Sequence, residues 1–201
     1  IDDGFQHRSL HRDLDIALIN SRDTQKTHKL LPIGNLRERM NGLKRADLIV
    51  YTKTNLHNNL DYLNRLLKNV NVEKINSVLK SKSILIGKDK QEIDKADLKS
   101  KNIYLLSAIG DNRGFKKTVE KISANIVGHS KFIDHFKFKI SDLQKVQSDA
   151  KKFSANYIIT TEKDLVKIPD INLEIPIYAL KTKMHFSTAN KLENKINSLF
   201  T

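Results

Sequence analysis

The chain opens on a run of residue types suited to phosphate chemistry: Ile1-Asp2-Asp3-Gly4-Phe5-Gln6-His7-Arg8. An apolar residue leads into two adjacent carboxylates, followed by a glycine, an aromatic ring, an amide, an imidazole and a guanidinium. That order reads as the end of a buried strand entering a polar loop. In open α/β sheets, loops at the carboxyl edge are where ligands bind. Adjacent carboxylates make a hard-oxygen site suited to Mg²⁺ carrying phosphates, the work a strand-end Asp does in P-loop NTPases. Asp2 and Asp3 are therefore the metal candidates, with Gln6 beside them, and the spacing does not choose between the two carboxylates. Asp-Asp-Gly alone is ordinary turn chemistry, but a plain turn has no need of Gln6, His7 and Arg8 together. His7 can orient its neighbours or move a proton. Arg8 and Arg12 can meet phosphate, or pair with Asp13 and Asp15 as plain salt bridges.

Other groups of this kind follow. Arg37 and Glu38 come after Leu31-Pro32-Ile33-Gly34, a loop whose Pro and Gly can hold it rigidly over a ligand. Arg37 could neutralise phosphate charge, and Glu38 could accept hydrogen bonds from adenine or ribose. Lys53 reads as an exposed lysine at a strand end. Asp134-His135 lies between Phe132 and Phe136, where a carboxylate can tune an imidazole as a general base or simply satisfy a loop His. Thr161 with Asp164 reads as a helix-start pair. His129 and His185 have no motif around them. No G-x-x-x-x-G-K-[ST] phosphate loop occurs in the chain.

The run from Asp2 to Ile16, DDGFQHR-x-L-x-RDLDI, resembles the signature of the tetraacyldisaccharide 4′-kinase (lipid A 4′-kinase) family. Leu31-Pro32-Ile33-Gly34-Asn35-Leu36-Arg37-Glu38, Phe132-Ile133-Asp134-His135 and Thr160-Thr161-Glu162-Lys163-Asp164 continue the resemblance along nearly the whole chain. Asn35 and Arg39 stand where the family's LPAGPLREP pattern has prolines, and Phe136 stands where FPDHH has its second His.

The resemblance implies two α/β/α domains joined by a two-stranded linker, the first a P-loop kinase domain incomplete at its N-terminus. It places Gln6, His7, Arg37 and Glu38 near ATP, and Asp2, Asp3 and Gln6 near Mg²⁺. It makes His135 the partner of a catalytic Asp from the P-loop domain, with Asp3 also catalytic. The expected reaction is ATP-dependent phosphorylation of the 4′-hydroxyl of a tetraacyldisaccharide 1-phosphate in lipid A biosynthesis.

These residues must be positioned by alternating strands and helices. Apolar runs predict strands near residues 13–20, 47–53, 102–109, 125–132, 157–161 and 175–180. One or two helical turns are expected within 37–46. Helical spacing joins Leu56, Leu60, Leu63 and Leu67 behind Asn55 as N-cap; Phe115, Val119 and Ile122 behind Asp111 or Asn112; Leu143, Val146, Ala150 and Phe153 behind Ser141; and Leu192, Ile196 and Leu199 behind Ser187. Strands alternating with helices imply a mainly parallel sheet. Val78–Leu79 and Ile84–Ile86 are expected to pair as a ribbon, and 88–101 reads as a charged, core-free linker. The domain reading is 1–75 for the back of the kinase domain, 76–100 for the linker region and 101–201 for the second domain.

With 201 residues, 39% of them hydrophobic, the chain can bury a core. No apolar run approaches a membrane span, and the absence of Cys excludes disulfide scaffolds and Cys-based zinc sites. The net charge of +13 favours anionic partners. These are read as ATP, an anionic lipid disaccharide and the cytoplasmic face of the bacterial inner membrane, met peripherally, rather than nucleic acid. The alternatives are a basic nucleic-acid-binding α/β domain or a non-catalytic phosphate-binding remnant. All arginines except Arg113 lie between Arg8 and Arg65. Arg is the better bidentate phosphate ligand, so the phosphate chemistry is expected in the N-terminal half. Because the chain starts at Ile and at a strand end, it is read as a fragment lacking its phosphate loop, monomeric and inactive alone.

Overall fold

A computed structural model describes residues 4–57, 59–88, 90–122 and 125–200; Asp2 and Asp3 lie outside the described residues. The elements run β1 (Ile16–Asn20), a 3-10 turn (Met40–Arg45), β2 (Leu48–Thr52), α1 (Leu60–Leu66), β3 (Lys74–Gly87), β4 (Glu92–Asp94) and a second 3-10 turn (Lys95–Leu98). They continue through β5 (Asn102–Ser107), α2 (Asn112–Glu120), β6 (Asn125–Lys131), α3 (Ile140–Lys152) and β7 (Tyr157–Thr161). The last are α4 (Glu162–Leu165), β8 (Ile177–Phe186) and α5 (Ala189–Asn197). They form two compact units, Ile1–Leu79 with Met184–Thr201, and Lys80–Lys183. Strands β3 and β8, neighbours in the strand order, both carry the chain from one unit to the other.

In the first unit β2 pairs parallel with β1, Ile16 opposite Leu48 through Asn20 opposite Thr52, and parallel with β3, Val50 opposite Ile75. Leu48 through Tyr51 are all buried, as a parallel strand covered on both faces requires. Ile49 and Tyr51 pack with Ala17, Ile19, Leu63, Leu67 and Val70. Leu48 and Val50 pack with Ile75, Phe186 and Leu192, so α5 belongs to this unit. Each fully buried Leu or Ile here contributes about 1.5–3 kcal/mol.

In the second unit the strands order β8-β7-β5-β6, and every pairing among them is parallel. The chain leaves β5 for β6 on one side and returns to β7 on the other, which makes a topological switch point at their carboxyl ends, the place where such sheets bind ligands. Leu106, Leu143, Val146, Ala150 and Ile158 form one core. Leu98, Ile103, Leu105, Val119 and Ile159 form another.

Several local expectations give way to longer-range contacts. Asn55 does not cap α1; its side chain donates to Leu79 O at 2.8 Å and accepts from Leu79 N at 2.9 Å. Val78–Leu79 and Ile84–Ile86 lie on one continuous strand, β3, and the strand paired antiparallel with its second half is β4. The charged stretch 88–101 is not free of core, since Leu98 is fully buried. Lys139, not Ser141, precedes α3, with its N–H given to Asp142 Oδ2 at 2.9 Å. Phe153 is 52% exposed. Ser187 is tied to Asn76 O and Thr188 precedes α5. Ile196 and Leu199 are exposed.

Candidate active site

The opening loop is held by its own backbone and by one arginine. His7 N donates to Gly4 O at 2.9 Å and Leu10 N to His7 O at 3.2 Å. Arg12 Nη1 donates to Gly4 O at 3.0 Å and to His7 O at 2.6 Å, while its Nε lies 2.8 Å from Asp15 Oδ1. Both side chains of that pair are largely buried, 17% and 18% exposed, so the pair is screened less than a surface one. Arg12 thus joins Asp15 as one of the two sequence readings allowed, and clasps the loop that follows Asp2 and Asp3. Arg8 does not pair with Asp13; its Nη2 lies 3.7 Å from Glu38 Oε2.

Glu38 is the hub of this unit. Gln6 Nε2 donates to its Oε1 at 3.1 Å, Arg45 Nη2 to Oε1 at 2.8 Å and Arg45 Nη1 to Oε2 at 3.1 Å. The Arg45 guanidinium holds the Glu38 carboxyl below the ordinary carboxylate range, against desolvation that acts the other way. Arg45 also sits 4.8 Å from the centroid of the Phe5 ring, a cation–π contact. A carboxylate oxygen accepts about two hydrogen bonds, so Oε1 is filled and Oε2 keeps room for one more donor.

Gly4, Gln6, Arg12, Asp15, Arg37 and Glu38, with Ile16 and Leu18 of β1, line a cleft of about 930 Å³. The structure thus brings Gln6, Arg37 and Glu38 to one concave site. His7 contributes backbone groups, and its side chain is exposed. Gln6 spends its amide nitrogen on Glu38, so its amide oxygen is the atom suited to a metal. Among the described residues no group of three or more His, Asp or Glu could hold an ion. Lys53 takes a left-handed backbone, φ 58°, and its carbonyl accepts from the buried Ser21 hydroxyl at 2.8 Å.

Asp134 and His135 lie in the second unit, just past the carboxyl end of β6. His135 is left-handed, φ 62°, and its N–H donates to Asp134 Oδ1 at 2.9 Å. Lys163 Nζ lies 3.5 Å from the same oxygen. Burial alone would raise the Asp134 pKa, but the His135 N–H and the Lys163 ammonium hold it below its ordinary value. Phe132, Phe136 and Phe138 pack ring against ring, with centroids 4.6 to 5.5 Å apart. Phe136, in place of the family pattern's second His, is therefore part of the aromatic prop of this loop.

One half-buried histidine had no sequence signal. His129 Nε2 lies 2.7 Å from Ser107 Oγ, and Ser107 donates to Asn112 Oδ1. With that proton committed, Nε2 is the donor to Ser107, and the buried Nδ1 has no partner. Burial, with Lys131 and Lys116 nearby, lowers its pKa from 6.5 to about 4. The unfolded chain then binds more protons than the folded one between those values, so stability falls as pH drops from 6.5 to 4. Discounted for partial exposure, the loss is about 2 kcal/mol. His129→Gln should flatten that part of the pH profile in denaturant titrations; an unchanged slope would assign it to other groups.

The model of the family described as tetraacyldisaccharide-1-P 4′-kinase matches residues 1–201. A tetraacyldisaccharide 4′-kinase of Bdellovibrio bacteriovorus is 34% identical over 172 residues, covering 84% of this chain and 50% of that protein. One from Aquifex aeolicus is 28% identical over 200 residues, covering all of this chain and 56% of that protein. The crystal structure of LpxK from Aquifex aeolicus in complex with ATP superposes over the whole chain with a TM-score of 0.68 and 28% identity, covering 56% of that protein. The chain spans about half the length of the curated relatives it matches. The α/β architecture, the opening signature and a match that runs from the first residue to the last agree: the chain belongs to the tetraacyldisaccharide-1-P 4′-kinase family.

Proposed function

We propose that the protein carrying this chain is an ATP- and Mg²⁺-dependent lipid kinase that phosphorylates the 4′-hydroxyl of a tetraacyldisaccharide 1-phosphate in lipid A biosynthesis. The sugar oxygen bonds to the γ-phosphorus, the bond to the β–γ bridging oxygen breaks with its electrons leaving on ADP, and the hydroxyl proton passes to a base. The observation that carries this reading is the Gln6–Glu38–Arg45 network. It ties the signature loop to the Arg37 loop across 32 residues of chain, and sets Gln6, Arg37 and Glu38 around one cleft. Arg37 would meet the phosphates as a fork-shaped cation. Glu38, already held by Arg45, would position that loop and accept one donor from the nucleotide. Asp2, Asp3 and Gln6 would hold Mg²⁺, which would neutralise phosphate charge there. His135 would handle the sugar-hydroxyl proton.

The basic surplus suits an anionic lipid substrate at the cytoplasmic face of the inner membrane, met by a peripheral monomer. No helix among the described residues is long and apolar enough to cross a membrane. Transfer of labelled phosphate from ATP to the lipid disaccharide tests the activity. Arg37→Ala should raise KM for ATP about tenfold, a loss of about 1.4 kcal/mol, with a smaller effect on kcat. Labelling of nucleic acid or no lipid product at all would remove the reading.

A further inference from the structure

The segment Lys29–Leu36 of the first unit is a closed loop with an apolar tip. Leu30, Leu31 and Ile33 are 42%, 61% and 78% exposed. Exposed loop tips are normally polar, because apolar side chains gain nothing from water. This tip is also tightly built. Leu31 N donates to Leu36 O at 2.9 Å, Ile33 N and Gly34 N to Leu30 O at 3.0 and 3.1 Å, Asn35 N to Thr27 O at 2.9 Å and Leu36 N to Lys29 O at 3.0 Å. Pro32 has no N–H, so every backbone donor from Leu31 to Leu36 is spent on a backbone carbonyl of the loop or of Thr27 just before it. Gly34 permits the closure: a Cβ there would stand 2.3 Å from Lys29 O. A backbone satisfied in this way can leave water without orphaned donors, the main cost of taking irregular chain into lipid. The flanks carry the complementary charge. Lys26, Lys29 and Arg37 lie between Asp23 and Glu38 with no acidic residue among them, and Glu38 is already neutralised by Arg45.

We propose that the Lys29–Leu36 loop is the membrane-docking element of this protein, with Leu31 and Ile33 entering the interface of an anionic bilayer while Lys26 and Lys29 engage its headgroups. The proposal rests on the lipid-kinase reading for its choice of a bilayer as the occupant. It accounts for the two features of the loop at once. The apolar tip supplies burial and the basic collar supplies attraction, the pairing that stable peripheral attachment needs.

The chain contains no Trp, so Ile33→Trp places the one indole of these 201 residues at the tip. On phosphatidylcholine vesicles containing phosphatidylglycerol, its emission should move to shorter wavelength, less so as salt is raised, and should stay put on phosphatidylcholine alone. Val166→Trp, at an 82% exposed apolar site of the second unit, should show no shift. Leu31→Asp with Ile33→Asp should lower partition onto anionic vesicles about tenfold or more. An unshifted Ile33→Trp, an equal shift at Val166→Trp, or undiminished binding of the double variant would overturn the proposal. So would self-association abolished by the double variant with no shift on vesicles, which would assign the tip to a second copy of the chain. Vesicle binding needs neither ATP nor phosphoryl transfer, so its failure and that of the kinase reading are separately visible.

Discussion

Asp164→Ala is expected to destabilise the second unit by about 3 kcal/mol. Asp164 is a fully buried carboxylate that closes the junction between β7 and α4 onto the end of β5. Its Oδ2 accepts from Ala108 N and from Thr161 Oγ1, both at 2.9 Å. Its Oδ1 accepts from Lys167 Nζ at 2.9 Å, and its own N–H donates back to Thr161 Oγ1 at 3.1 Å. Thr161 and the partly exposed Lys167 can turn to water when the carboxylate goes. The Ala108 N–H cannot, and a buried orphaned donor costs about 1–3 kcal/mol, to which the lost ion pair and the small cavity add. Asp164→Asn keeps one acceptor and should cost roughly half as much. For a unit of this size each kcal/mol is about 4–8 °C, so Asp164→Ala should melt more than about 10 °C lower by circular dichroism. A melting point within about 3 °C of the parent chain would mean that the buried network contributes little.

That network shows what was legible and what was not. Thr161 and Asp164 stand three residues apart at a strand-to-helix junction, so the sequence displays them as a local pair. The bond from Ala108 N joins residues 56 apart, and no spacing rule reaches that far. The same division runs through the chain. Asp111, one of the two caps the sequence allowed for α2, was readable because the N–H it accepts from lies three residues on, at Gly114. Asn55 was not, because the strand carbonyl and amide it serves lie 24 residues away. Leu98 was hidden because a single apolar residue among charges carries no periodicity, yet it is fully buried. Glu38 was singled out by the family resemblance and lies on the cleft, but its anchoring by Arg45 and Gln6 was not legible. Arg45 reads alone as an ordinary surface cation, and Gln6 was read toward a metal and nucleotide rather than toward Glu38. Of the arginines clustered before Arg65, Arg8 and Arg45 contact Glu38 and Arg12 holds the opening loop, contacts that no spacing displays. The return of the chain along β8 shows only as a change from the buried run Ile177–Leu180 to alternation after it.

On the proposed reading, His135→Ala should lower kcat by about 10²–10⁴-fold, the usual cost of losing a positioned proton-transfer group. KM for ATP should barely move, since the residues assigned to the nucleotide lie in the other unit. The geometry around His135 gives the reason for expecting chemistry from an exposed loop residue. Its left-handed φ of 62° costs a residue with a Cβ about 1 kcal/mol or more, and such strain persists only where the surroundings enforce it. Here Asp134 Oδ1 grips its N–H, Lys163 holds Asp134 in turn, and the Phe132–Phe136–Phe138 cluster fixes the chain on either side. The result is a rigid backbone that presents an imidazole to solvent. Strain and chemistry can be separated by substitution. His135→Gly removes the ring and relieves the left-handed backbone, so it should fold at least as stably as the parent protein and yet be as slow as His135→Ala. The test pairs steady-state kinetics on the lipid substrate and ATP calorimetry with thermal melts of both variants. Near-parental kcat in His135→Gly, or a loss of ATP binding as severe as the loss of turnover, would make His135 a strained loop residue with no part in proton transfer.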